Sequence, residues 1–297
     1  MSERPLVIAL GGNAVKTRPG TMEIDGLEPV CETLAGLAGD GLVITHGSGP
    51  QIGLLADGGP DQRHTTLDVL DAEVEGWLGY LIEQELDNWL ESCHCVATLL
   101  TRIEVDANDA AFSQPSKPVG GWISEAEARQ LVASRGWEFL VENGRCRRLV
   151  PSPYPRRVLQ LRVIADLLRE GHTVICAGGG GIPVVRSQEG KLQGVDAVVD
   201  KDLASALLAS QLQARLLVLA TDVSGVYRNW ADGNRHLIDS ISCRDLAGLQ
   251  LPPGSMGPKA AAAVDFVKTT GNNAVIGSLD DLSLLVEQRA GTLVVPD

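Results

Sequence analysis

Lys117, Lys201 and Lys259 each stand where the chain is punctuated. Lys117 lies between Pro115 and Pro118, just ahead of Gly120-Gly121. Lys201 sits in Val199-Asp200-Lys201-Asp202 at an expected helix start, and Lys259 follows Gly254-Ser255-Met256-Gly257-Pro258. Pro258 suits the first helical position, where its fixed φ matches the helix and its missing N–H would have had no partner. The free N–H groups of that turn and the Lys259 ammonium would then face one anion together. Taken singly, each lysine also fits a solvated helix end. Asp202, beside Lys201, suits either a helix-start acid favoured by the dipole or a carboxylate that fixes lysines around a transferring phosphoryl group.

The glycines point the same way. The chain has 33 in 297 residues, about 11% against the usual ~7%. Gly11-Gly12-Asn13 closes one apolar run, His46-Gly47-Ser48-Gly49-Pro50 a second, and Gly178-Gly179-Gly180-Gly181 a third. Glycine at the carboxyl end of a strand permits a tight turn, and it also lets backbone N–H groups approach an anion. Three such loops together imply a phosphorylated ligand. Thr221-Asp222-Val223-Ser224-Gly225-Val226-Tyr227 leaves a fourth run in a turn-rich loop. That loop suits an ordinary connection or an edge against a nucleotide base and ribose, with Tyr227 either stacked or in the core.

Familiar phosphate signatures are missing. Gly47-x-Gly49 is followed by Gly53, which is the wrong spacing for a dinucleotide fingerprint. Gly190-Lys191 lacks both the upstream glycine and the following hydroxyl residue of a P-loop. Protein-kinase signatures and a G-x-S-x-G elbow are also missing.

The elements that must position these residues follow from periodicity. Residues 5–10, 41–45, 96–100, 173–177, 216–220 and 274–276 read as short buried strands alternating with helical patterns, which predicts an α/β fold with a mostly parallel central sheet. Residues 67–90 carry apolar side chains at helical spacing, with Asp68, Asp71, Glu83 and Asp87 among the polar positions. Gly76 and Gly79 inside that helix each cost about 1 kcal/mol relative to alanine, which suggests close approach by a neighbour. Proline-rich punctuation brackets residues 114–155 as a small inserted subdomain, and Ser124 with Glu127 forms a capping-box signal within it. A second boundary falls near 199–202.

Composition narrows the classes of partner. With 25 Lys and Arg against 38 Asp and Glu, the net charge is −13, so neither nucleic acid nor an acidic membrane is an expected partner. Six cysteines are too sparse for a disulfide scaffold and read as reduced thiols; Cys93-His94-Cys95 lacks a second ligand pair and reads as a strand start. Residues 6–10 are too short and too weakly flanked by basic residues for a signal peptide, and no run approaches a membrane span. The expectation is a soluble, cytoplasmic protein.

Together these segments resemble the carbamate kinases of the amino-acid kinase superfamily. The matching runs are Ala9-Leu10-Gly11-Gly12-Asn13-Ala14, His46-Gly47-Ser48-Gly49-Pro50-Gln51, Lys117-Pro118-Val119-Gly120, Val150-Pro151-Ser152-Pro153, residues 178–184, Val199-Asp200-Lys201-Asp202-Leu203-Ala204, residues 221–227 and residues 254–259. They span nearly the whole chain in the family's order. The resemblance implies a three-layer αβα sandwich with two lobes. Residues 1–200 would bind carbamate or carbamoyl phosphate and carry the insertion; residues 201–297 would bind ATP or ADP. It also implies a homodimer, and Mg²⁺ bridging the nucleotide phosphates. The reaction implied is reversible transfer from ATP to carbamate, run towards ATP in catabolism.

By the same resemblance, Lys117, Lys201 and Lys259 neutralise the moving phosphoryl group and Asp202 positions the lysines. Gly11, Gly12, Asn13, Gly47, Ser48 and Gly49 hold the carbamoyl-phosphate end. Gly179, Gly180, Thr221, Asp222, Val223, Tyr227, Gly254, Met256 and Lys259 meet the nucleotide. Four positions depart from the family pattern: Ser48 replaces Asn, Glu75 replaces Gln, Asp196 replaces Glu, and Arg162 stands where Glu is frequent. A carboxylate at Glu75 would repel an anionic substrate unless turned away or paired. The departures keep open a different small carboxylate or phosphonate as acceptor, and a non-catalytic sensor of nucleotide or carbamoyl phosphate is the reading from another class.

Overall fold

Five consecutive apolar residues, Leu6–Leu10, have no solvent exposure and form a strand near the middle of the molecule. The structure is a computed structural model and describes residues 4–12, 24, 26–39, 41–56, 66–91, 93–228, 235–252 and 256–297. Leu6–Leu10 pairs in parallel with Leu216–Thr221 on one side and Leu42–His46 on the other. The full sheet runs Ser240–Ser242, Thr292–Val295, Asn273–Ser278, Leu216–Thr221, Leu6–Leu10, Leu42–His46, Thr173–Cys176, Val96–Leu99. Its neighbours are parallel except for the Asn273–Ser278 and Thr292–Val295 pair.

Strand alternation divides the core in two. Val7 and Ala9 face one apolar cluster with Ile164, Ala204, Leu208, Ala263 and Phe266, whereas Leu6, Ile8 and Leu10 face the other with Leu34, Val74, Leu78 and Leu285. Helices Leu161–Arg169, Lys201–Gln211 and Met256–Thr270 therefore cover one face. Helices Leu27–Ala35, Leu67–Asp87 and Leu282–Val286 cover the other. The result is the αβα sandwich, and it explains why the strands read as continuous apolar runs.

The inserted stretch carries its own three-stranded antiparallel sheet, Lys117–Ser124, Arg145–Val150 and Glu138–Glu142. Its helix Glu125–Arg135 starts with the reciprocal Ser124 and Glu127 capping box. This sheet rests on helix Gly49–Ala56, where a Cβ on Gly53 would lie 2.7 Å from the Gly120 Cα. A further four-stranded sheet, not anticipated above, joins Leu192–Gly194, Ile182–Arg186, Arg102–Val105 and Pro155–Val158. Gly79 is explained by packing, because a Cβ there would fall 2.3 Å from the Thr98 methyl. Among the described residues no helix is long and apolar enough to cross a membrane, and all six cysteines are free.

Candidate active site

Strands Leu6–Leu10, Leu42–His46, Thr173–Cys176 and Leu216–Thr221 lie side by side in parallel, so their carboxyl ends open on one edge of the sheet. Gly11, Gly12, Gly47, Ser48, Gly49, Gly179, Thr221 and Asp222 come off those ends and line a cleft of about 370 Å³. Ligands bind at this edge in open α/β sheets because loop N–H groups and helix starts converge there. Gly47 is held by proximity: a Cβ on it would lie 3.0 Å from the Gly12 Cα, so the two loops meet backbone to backbone.

The three lysines enter the same cleft from three separate elements. Lys201 is the first residue of its helix, and its Nζ donates to the Leu10 carbonyl at 2.8 Å and lies 3.2 Å from Asp202 Oδ1. Lys259, in the first turn of helix Met256–Thr270, donates to Asp202 Oδ2 at 3.0 Å. One carboxylate thus bridges two ammonium groups. Lys117, on the inserted sheet, donates to Asp200 Oδ2 at 2.6 Å. The other oxygen of Asp200 caps the Lys201 helix, accepting from the Asp202 and Leu203 N–H groups. A second link fixes that helix start: Thr45 donates to Ser205, which donates to the Lys201 carbonyl.

Burial separates the three lysines. Lys117 keeps 30% of its side chain exposed, against 12% for Lys201 and 10% for Lys259. Burial pulls the Lys201 ammonium below its ordinary range, with Asp202 opposing and Lys259 adding to the fall. Burial alone would raise Asp202, but Lys201 and Lys259 together hold it below the usual carboxylate range, so it stays ionised between them. The cluster presents positive charge fixed by largely buried side chains, where charge acts more strongly than at an exposed surface.

A second cavity of about 170 Å³ shares Thr221 and Asp222 with the cleft and is otherwise lined by Val223, Gly225, Tyr227, Leu251, Pro252 and Met256. Five of the residues expected to meet the nucleotide, Thr221, Asp222, Val223, Tyr227 and Met256, are therefore together. Gly179 instead lines the lysine cleft beside Ser48, where a Cβ would strike the Ser48 hydroxyl. Gly180 lines neither cavity. It turns at φ +109° with the Val199 carbonyl 2.2 Å from where a Cβ would be, so the backbone itself requires glycine there. Gly180→Ala is expected to cost at least about 1–3 kcal/mol of stability, read as a lowered denaturant midpoint. An unchanged midpoint would contradict this packing. Asn13 and Gly254 lie outside the described residues.

Glu75 is turned away from the cleft. Its two oxygens accept from the Thr101 and Gly178 N–H groups at 2.9 Å each, beneath the glycine turn. Burial pushes its carboxyl up to about 8, against the lowering effect of those donors, so it carries a proton near neutrality and does not repel an anion. Burial likewise takes His46 down to about 4 and keeps its imidazole neutral. Asp196 accepts from the Leu67 N–H and pairs with Arg148, and Arg162 lies on the surface beside Asp166.

A buried acid whose pKa is raised in the fold binds its proton more tightly there than in the unfolded chain, so stability falls as pH rises from 4.5 to about 8. His46 acts in the opposite sense between about 4 and 6.5; above 6.5 Asp71, whose carboxyl burial also holds up, adds to the decline, so over pH 6.5–8 the comparison with Glu75→Gln isolates the Glu75 share. Denaturant unfolding there is expected to show stability declining by on the order of 1 kcal/mol per pH unit, with a shallower slope in Glu75→Gln. Equal slopes in the two proteins would count against a protonated Glu75.

Asp200, missed in the sequence reading as a site residue, is the partner of Lys117. A model of the amino acid kinase family matches residues 4–278 of this chain. The chain belongs to the amino acid kinase family. Within it, the chain is 45% identical to a carbamate kinase of Haemophilus influenzae, covering 97% of this chain and 96% of that one. It is 46% identical to a carbamate kinase of Rhizobium meliloti, covering 97% and 92%. The fold of this amino acid kinase superposes on the carbamate kinase of Giardia lamblia bound to AMP-PNP with a TM-score of 0.89, 32% identity and full coverage of both chains.

Proposed function

We propose that this protein is a carbamate kinase that transfers a phosphoryl group reversibly between ATP and carbamate, and that it runs towards ATP in a cytoplasmic catabolic setting. The observation that carries the reading is the convergence of Lys117, Lys201 and Lys259 on one glycine-floored cleft, two of them held by the same Asp202. Such a site can neutralise the oxygens of a single migrating phosphoryl group and has no need of a covalent intermediate. In the ATP-forming direction a β-phosphate oxygen of ADP attacks phosphorus in line, the bond to the carbamate oxygen breaks, and carbamate leaves with that electron pair.

In this reading residues 1–200 hold the carbamoyl end, through Gly11, Gly12, Asn13, Gly47, Ser48 and Gly49. Residues 201–297 hold the nucleotide, with the adenosine in the cavity of Val223, Tyr227 and Met256. The inserted stretch, about 114–155, delivers Lys117. Among the described residues no three His, Cys, Asp or Glu side chains gather to hold a metal, and Asp200 and Asp202 are committed to lysines. Mg²⁺ fits here as part of the nucleotide substrate, carried by its phosphates, where it supplies further charge neutralisation. A homodimer is the expected assembly.

Purified protein given Mg²⁺, ADP and carbamoyl phosphate is expected to form ATP, followed with a coupled luminescent assay. Absence of ATP under saturating substrates would refute the assignment.

A further inference from the structure

Three alternate residues of one short stretch, Asp196, Val198 and Asp200, meet the inserted sheet. Asp196 pairs with Arg148 at 3.3 Å, and Asp200 pairs with Lys117 at 2.6 Å. Between them the Val198 N–H donates to the Pro151 carbonyl at 3.0 Å, and the Val198 side chain joins the apolar cluster that holds Val119 and Val150. The register of the inserted sheet puts these contacts in line. Lys117 lies opposite Val150, and Val119 opposite Arg148, so all four side chains project from one face. Lys117, which lines the cleft, and Arg148, which does not, are carried side by side on one surface.

Neither Arg148 nor Asp196 takes part in the phosphoryl chemistry above, yet both are held. The Arg148 guanidinium lies 3.7 Å over the Trp137 ring and its side chain is 13% exposed, so stacking limits where it can point. The two oxygens of Asp196 have separate duties. Oδ1 accepts from the Leu67 N–H at 3.0 Å, at the start of helix Leu67–Asp87, whose own N-cap Thr66 makes no side-chain capping bond. Oδ2 faces Arg148. One carboxylate therefore joins the body of the sandwich to the insertion. With the Asp196 side chain 53% exposed, such a pair adds little to stability, and its effect has to be geometric.

We propose that Arg148 and Asp196 are positioning residues that set the insertion against the body so that Lys117 meets the migrating phosphoryl group. The inference rests on the carbamate kinase reading and adds to it the contact that aims the lysine of the insertion. The Asp200 pair restrains only the tip of a long side chain, whereas Arg148 restrains the sheet from which that side chain springs. Lys117 is also the most exposed of the three lysines, so its placement depends most on its carrier. Misplacing a reacting group by about 1 Å can cost on the order of 10²-fold in rate.

The test measures kcat for ATP formation from ADP and carbamoyl phosphate with the whole chain. Asp196→Asn keeps an oxygen for the Leu67 N–H but removes the charge facing Arg148. Arg148→Met keeps an apolar stem against Trp137 and removes the guanidinium. Each is expected to lower kcat about 10-fold, with the KM for ADP and the denaturant midpoint little changed. Asp196→Glu restores the charge and is expected to retain most of kcat. Lys117→Ala is expected to lose about 10²- to 10³-fold, and Arg148→Met added to it should lower kcat less than about 2-fold further, because the pair acts only through that lysine. If one of the two single variants does not fold, the other decides. Wild-type kcat in either folded variant overturns the proposal, and so do losses that multiply in full on the Lys117→Ala background, which mark a general structural role. In both cases ATP formation by wild-type protein leaves the kinase assignment standing, whereas no ATP from wild type removes that assignment and this role together.

Discussion

Lys201→Ala is expected to lower kcat for ATP formation about 10²- to 10³-fold, with a smaller change in the KM for ADP. Lys201 is 12% exposed in its side chain, is tied to the Leu10 carbonyl and to Asp202, and sits at the start of a helix that Asp200 caps. It is therefore pre-aimed at the place where charge redistributes during transfer, and a donor aimed in this way acts mainly on the transition state. Loss of one such donor typically costs about 2.7–4 kcal/mol of barrier. Alanine leaves Asp202 paired with Lys259, so the fold should persist and the loss should be one of rate. A variant with wild-type kcat would remove Lys201 from the chemistry.

The second large effect belongs to Asp202. Two buried ammonium groups share its carboxylate, at 3.2 and 3.0 Å. Asp202→Ala leaves both without their counter-charge, and breaking a buried pair by removing one partner costs about 3–5 kcal/mol. Denaturant unfolding at neutral pH should show this as a marked fall in midpoint, and turnover should fall with it because the lysines lose their aim. A stability loss under about 1 kcal/mol would mean that the lysines are solvated and that the triad is not the closed unit described here.

Much of the sheet was legible because its strands are buried on both faces. Leu6–Leu10 and Leu42–His46 carry no exposed position; the first reads as an uninterrupted apolar run and the second as Leu-Val-Ile followed by buried Thr45 and His46, each leading into glycine. The four-stranded sheet was not legible. Its strands are short and partly exposed, and Arg102–Val105 meets Ile182–Arg186 across some eighty residues of chain that include the insertion. The lysines were legible from their punctuated settings, but their partners were less so. Lys117 and Asp200 are 83 residues apart, and nothing in local pattern joins them. Asp71 looked like one more polar position on an amphipathic helix; it is buried by the tertiary approach of the Gly178–Gly180 turn and Ser48, which periodicity along one helix does not contain. The worry raised by Glu75 dissolves for a related reason, since its oxygens face backbone N–H groups rather than substrate.

A double-mutant cycle on the two Asp202-bound lysines bears most directly on whether residues from distant elements act on one phosphoryl group. kcat for ATP formation would be measured in wild type, Lys201→Ala, Lys259→Ala and the double variant. Groups that serve one transition state through one carboxylate act as a unit, so the double variant should be only modestly slower than the worse single variant. If instead the two losses multiply in full, the lysines act independently, and the single shared cleft is not the seat of the reaction.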